Sequence, residues 1–273
     1  MRHLKSLLFL AHGAKMRKAT FNLVLALGLA AVAHASIIPC PTAPVQTYVT
    51  TFSTFANGCT IGSSNLVFFN FQYSTTVTGP AAVPNSTQAT LSPLNDGNGF
   101  GLQYLPTVPF FANATGVADA DLKFIVQSFS GPLASPTLNG NIISDLYLEM
   151  SGTATAGTFG TPGQDVLVET FCPGGSTLPP AAVCPASTPP VTQSRTLTIN
   201  PGTSSPQALR ITNFAFTNSI AIDKDIQASG NNGSATITGV KNQISTIPEP
   251  ATSFFVGTGL FLVWAAARRR LKR

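Results

Sequence analysis

Two pairs of carboxylates carry the most chemical potential in this chain. Asp119 and Asp121, and Asp223 and Asp225, are each spaced two residues apart, which on a strand puts both members of a pair on one face. A protonated and an ionised carboxyl across a sugar is the equipment of glycoside hydrolysis. Lys123 and Lys224 stand beside the pairs, so a solvated, charge-relieved strand end is the competing reading, and the commoner one. Asn95-Asp96-Gly97-Asn98-Gly99 gathers oxygen donors around glycines as calcium loops do, with Asp96 the central carboxylate. It lacks the distal bidentate glutamate of the helical calcium loop, and in a β-protein such a string is first a hairpin turn. No cofactor follows from either feature.

Absences narrow the chemistry further. The three histidines, His3, His12 and His34, all fall in the first 34 residues, and the single tryptophan is Trp264. A domain lying between these ends cannot run a Ser-His-Asp or Cys-His mechanism or build an imidazole metal site. Tyr48, Tyr73, Tyr104 and Tyr147 remain as aromatic rings with a polar tip that can lie on a sugar. No catalytic residue is assigned, and the chain reads as a non-enzyme, with a glycosidase or lyase as the minor alternative.

The formal charge of +5 is carried by the two ends. Between Ser36 and Ser245 five cations face nine carboxylates, a net charge of −4. Nucleic-acid binding requires clustered cations and is set aside. Four cysteines, Cys40, Cys59, Cys172 and Cys184, admit three pairings. Proximity favours Cys40–Cys59 and Cys172–Cys184. The spacing lacks the Cys-x-x-Cys knuckles of a zinc site.

The ends read as targeting segments. Met16-Arg17-Lys18, an apolar stretch from Phe21 to Val32 and the small-x-small site Ala33-His34-Ala35 before Ser36 form an export signal over residues 1–35, whose true start can be Met16. At the other end Pro248-Glu249-Pro250 precedes an uncharged run from Ala251 to Ala267, then Arg268, Arg269 and Arg270. As a helix, 251–267 would span about 26 Å, enough to cross a thin bilayer. The terminal cations orient it with the body outside the cytoplasm.

This three-part tail, residues 246–273, resembles the PEP-CTERM sorting signal of bacteria that make extracellular polymer; the same tail is sometimes labelled after ice-binding proteins. The resemblance implies a precursor held transiently in the inner membrane and processed by exosortase, a membrane-embedded cysteine protease. It carries the recognition role onto Pro248, Glu249 and Pro250, and the stop-transfer role onto Arg268, Arg269 and Arg270. The mature protein would then sit at the cell surface or in the extracellular matrix.

Residues 36–245 must position whatever chemistry the body has. Short runs of Val, Ile, Thr, Phe and Tyr separated by Gly, Pro and Asn clusters predict one all-β, antiparallel sandwich, jelly-roll-like first and immunoglobulin-like second. Strands are predicted at Leu66–Val77, Leu122–Phe129, Ile142–Thr155, Asp165–Phe171, Arg195–Ile199, Ala208–Asp225 and Ala235–Val240. In the first, Phe69, Phe71, Tyr73 and Thr75 are expected on one face, with Phe68, Asn70, Gln72 and Ser74 on the other. Gly79–Pro93 and Pro173–Pro190 are expected to be surface loops. The function expected of such an ectodomain is structural or adhesive, with extracellular polysaccharide binding, calcium-dependent or not, as the alternative.

Overall fold

Runs of β-branched and aromatic residues, broken by Gly, Pro and Asn turns, fold into strands that bury one face each. The computed structural model describes residues 37–130, 137–138, 142–157, 161–175, 178, 193–212 and 217–247. The export signal with Ala33, Ala35 and Ser36, the Pro248-Glu249-Pro250 motif, the apolar run 251–267, Arg268 to Arg270 and Cys184 lie outside these residues. Among the described residues no helix is long and apolar enough to cross a membrane.

In chain order the strands are β1 (Ile38–Pro39), β2 (Ala43–Pro44), β3 (Cys59–Thr60), β4 (Leu66–Thr78), β5 (Ala81–Ala82) and β6 (Ala89–Asp96). Next come β7 (Gly99–Pro106), β8 (Phe110–Asn113), β9 (Val117–Ser130), β10 (Thr137–Leu138) and β11 (Ile142–Thr155). The last are β12 (Gln164–Pro173), β13 (Gln193–Ile199), β14 (Gln207–Ile211), β15 (Ser219–Ser229) and β16 (Ser234–Ile247). A short α-helix, α1 (Val45–Thr51), starts behind Pro44 and buries Val45 and Tyr48.

Two sheets result. The first runs β1-β3-β4-β9-β15-β12-β13 with β10 on β9; the second runs β14-β11-β16-β7-β6-β2 with β8 and β5 attached. Every described pair is antiparallel except β1 with β3. Leu91, Tyr104, Leu146, Leu148 and Ile244 from the second sheet share a core with Phe68, Leu122, Phe124, Leu167 and Ile222 from the first. The expected antiparallel sandwich is the fold.

Several details differ from expectation. Asn70 takes φ +55° and the β4–β9 register slips between Phe69 and Gln72. This bulge reverses the alternation: Phe68, Phe71 and Tyr73 face the core, while Phe69 joins a separate cluster on the outer face. Gly79–Pro93 is not all loop, because β6 begins at Ala89 and buries Ala89 and Leu91. The predicted strand Ala208–Asp225 is two strands, β14 and β15, in different sheets. β16 continues to Ile247, pairing with Ile142 beyond the expected end of the domain.

The core is not wholly apolar. Glu169 of β12 and Lys224 of β15 are register neighbours turned inward, joined by an ion pair. Asn242 of β16 reaches them from the facing sheet, its Nδ2 donating to Glu169 Oε1 at 3.2 Å and Oε2 at 2.9 Å. Lys224 therefore does not relieve Asp223 and Asp225, as its place in sequence suggests; alternation sends it to the opposite face.

Candidate functional site

The four aspartates picked out by spacing do meet. On the outer face of the first sheet, β4, β9, β15 and β12 align the rows Gln72–Lys123–Asp223–Thr170 and Ser74–Asp121–Asp225–Val168. A third row is Thr76–Asp119–Gln227–Val166. Lys123 Nζ lies 2.6 Å from Asp223 and 3.1 Å from Asp121. Burial, and after it the neighbouring Asp121, pushes Asp223 up to about 7, against the pull of Lys123. Asp225 is exposed; partial desolvation on the sheet and then Asp119 push it up to about 6. A carboxyl that holds its proton near neutrality can act as a general acid.

The other half of this face is closed. Val67, Phe69, Ile125, Phe129, Cys172 and Ala221 form an apolar patch covered by Ile37, with Phe55 and Leu178 packed against it. Cys40–Cys59 ties down the segment that carries Ile37, with a Cα–Cα distance of 4.8 Å. Cys172 is also disulfide-bonded.

Three of the four tyrosines are removed from contention. Tyr48 and Tyr104 are buried. Tyr48 Oη donates to the Pro41 carbonyl. Tyr73 Oη donates to the Pro84 carbonyl at 2.7 Å and meets Tyr104 Oη at 2.9 Å. Tyr147 alone stands on the outer face of the second sheet, because Leu146, Leu148 and Met150 take the inward positions of β11.

Around Tyr147 the register builds a polar platform. One row is Arg210–Tyr147–Gln243–Gly101, and the next is Ala208–Glu149–Lys241–Gln103–Ser92. Tyr147 Oη donates to Glu149 Oε2 at 2.9 Å, and Lys241 Nζ pairs with Glu149 Oε1 at 2.7 Å. The Arg210 guanidinium carbon lies 5.9 Å from the Tyr147 ring centroid and its Nη2 donates to Asn98 Oδ1 at 3.1 Å. Partial desolvation, then Glu149, raises the Tyr147 phenol. Gly101 allows close approach of the β16 backbone beside Gln243; a Cβ there would fall 1.8 Å from the Asn242 carbonyl. Gln243 is fully buried, so the surface offers one ring, a cation, a carboxylate and the Gln103 amide, groups able to stack on and hydrogen-bond a polar ligand. The polar–apolar alternation from Asp145 to Met150 is the sequence signal for this face; its partners on β14 and β16 have none.

Asp96 closes the β6–β7 hairpin. Its Oδ1 accepts from Asn98 N at 2.8 Å and from Gln243 Nε2 at 2.7 Å. The Asn98 N–H foremost, then Gln243, holds this carboxyl below its ordinary value. Through Oδ1, Asp96 organises the hairpin at the edge of the Tyr147 platform. Among the described residues no group of three His, Cys, Asp or Glu is arranged to hold a metal ion.

No family model and no curated protein matches the sequence. Solved structures overlap it only loosely. TmCBM61, solved in complex with beta-1,4-galactotriose, is 10% identical over 66% of this chain and 88% of its own, with a TM-score of 0.29. The enzymatically active domain of bacteriophage CBA120 tailspike protein 4 is 10% identical over 64% of this chain and 19% of its own, with a TM-score of 0.28. A family two carbohydrate esterase from Cellvibrio japonicus is 11% identical over 66% and 36%, with a TM-score of 0.20. This chain spans well under half of the latter two. Overlap at these scores carries no inference about ligand or activity.

Proposed function

We propose that this is an exported bacterial surface protein whose jelly-roll-like domain binds extracellular polysaccharide across the outer face of the second sheet. The observation that carries the reading is the in-register platform of Arg210, Tyr147, Glu149, Lys241 and Gln103. A flat array of donors and acceptors around a single ring suits a polymer lying along the sheet. The structural or adhesive role follows from that attachment. Export by residues 1–35, and sorting by exosortase acting at Pro248-Glu249-Pro250, deliver the domain to the matrix. The supporting features are the order and position of the tail's three parts.

Isothermal titration of the purified mature protein against the host's extracellular polymer tests the binding. Micromolar to millimolar affinity, lost in Tyr147→Ala with unchanged circular dichroism, is expected. Absence of binding by the wild-type protein to that polymer would count against the reading. A second reading, hydrolysis of glycosidic bonds on the first sheet, is favoured by the raised carboxyls of Asp223 and Asp225. It predicts polymer turnover that disappears in Asp223→Asn.

A further inference from the structure

Lys224 is 2% exposed, Asn242 1% and Glu169 0%. Ile222 and Ile226 flank Lys224 along β15, Leu167 and Phe171 flank Glu169 along β12, and Val240 and Ile244 flank Asn242 along β16; all of these flanking side chains are buried. Lysine is almost never found so deep without a partner, and a buried ion pair is often no more stabilising than an apolar substitute. Stability alone therefore gives little reason to place a charged pair and an amide between the sheets. Reactivity gives one.

The contacts arrange a nucleophile, a leaving group and a proton carrier. Glu169 Oε2 contacts both Lys224 Nζ and Asn242 Nδ2, the latter at 2.9 Å, while Glu169 Oε1 accepts a second, longer contact from Nδ2. One carboxyl thus touches the amine that would attack and the nitrogen that would leave. Asn242 Oδ1 is buried without a hydrogen-bond partner, so the amide is held from its nitrogen side, by Glu169. Burial drives the pair toward its neutral form, lowering the pKa of the Lys224 ammonium and raising that of the Glu169 carboxyl. A free amine beside a carboxylic acid in a water-poor interior is an activated nucleophile with its acid–base catalyst in place.

We infer that Lys224 and Asn242 become joined by an intramolecular amide cross-link that ties β15 of the first sheet to β16 of the second, with Glu169 carrying the protons. Lys224 Nζ forms a bond to Asn242 Cγ, and the Cγ–Nδ2 bond breaks. One proton passes from Nζ to Glu169 and one from Glu169 to Nδ2, which leaves as ammonia. Glu169 ends as it began, and no oxidant, metal or external reagent enters. The product replaces a buried amine and a primary amide with one secondary amide, a covalent tie between sheets independent of any carbohydrate ligand.

Mass spectrometry of the full purified chain reads this directly. The wild-type protein is expected to be lighter by one ammonia than its disulfide-bonded sequence. After reduction and trypsin, the peptide ending at Lys241 should remain joined to the peptide beginning at Asn242 through an uncleaved Lys224. Glu169→Gln, which keeps the side chain's shape, and Lys224→Met should both restore the unmodified mass. Linear peptides cut at Lys224 in full yield from the wild-type protein would overturn the inference. So would an ammonia loss confined to one linear peptide, such as the one holding Asn232-Gly233. Neither outcome requires a variant to fold.

Discussion

Asp225 on β15 stands directly across from Asp121 on β9, with Lys123 one row away bridging Asp121 and Asp223. Like charges in opposed cross-strand positions repel, and Lys123 is the described cation that offsets them. Lys123→Met should cost on the order of 3 kcal/mol at pH 8, as breaking a largely buried pair does. The pH dependence has a definite sign. Asp223 and Asp225 hold their protons to about 7 and about 6 in the folded protein, above the ordinary carboxylate value. Their favourable contribution is full below about pH 4 and is lost as pH rises through 6 to 7. The Lys123→Met penalty should therefore shrink at pH 5. Urea unfolding at the two pH values measures it, and an equal cost at both would contradict the ion-pair account.

Asp165 poses the same question inside the protein. It is fully buried, and neither carboxyl oxygen has a hydrogen-bond partner. Burial pushes it up to about 7; the Thr153 N–H approaches and offsets part of that rise without completing a bond. It occupies the space left by Gly152, whose Cβ would fall 2.5 Å from Asp165 Oδ2. Folding is favoured by its protonated form, so this contribution is present at low pH and fades as pH climbs through 7. Asp165→Asn should raise stability at pH 8 by about 1–3 kcal/mol and change little at pH 5. A thermal-melt series across that range decides it.

The Cys40–Cys59 bridge closes a 19-residue separation and anchors the segment holding Ile37 over Phe69 and Phe129. Replacing both cysteines with alanine should cost about 3 kcal/mol in the chain-entropy view. It should also expose the outer apolar patch, read as increased dye binding at temperatures below the main transition. Unfolding with no change in midpoint would show that the cover over this patch is held by its apolar contacts alone.

Much of the sandwich was legible because alternation and turn chemistry are local. β11 was expected at Ile142–Thr155 and runs there; β4, β12 and β13 lie within a few residues of their expected ends. What stayed hidden depends on pairing. Ala89–Asp96 carries Ser and Pro, and only its place between β7 and β2 makes it a strand. The shared face of Asp119, Asp121, Asp223 and Asp225 required β9 to pair with β15, a contact about a hundred residues apart in sequence that spacing cannot announce. The Tyr147 platform needed Arg210 from β14 and Lys241 from β16. Most of all, one backbone angle at Asn70 separated Phe69 from Phe71 and Tyr73, whose face it was expected to share, and put Phe68 there instead.

That angle gives a prediction of its own. A φ of +55° is tolerated by asparagine and glycine and strains β-branched residues. The bulge lets Phe71 stack on Phe124, ring centroids 5.5 Å apart, and meet Tyr48 edge-on at 5.0 Å, while Phe69 turns outward to Phe55. Removing the bulge would shift Phe71 to the solvent side and strip the core of a fully packed ring. Asn70→Gly should fold with nearly unchanged stability. Asn70→Val should lose about 1–3 kcal/mol of stability to added backbone strain, measured by chemical denaturation with circular dichroism of the aromatic region as the reporter of core packing. If valine were tolerated as well as glycine, the left-handed residue would not be what sets the register of β4, and the inward position of Phe71 would need another cause.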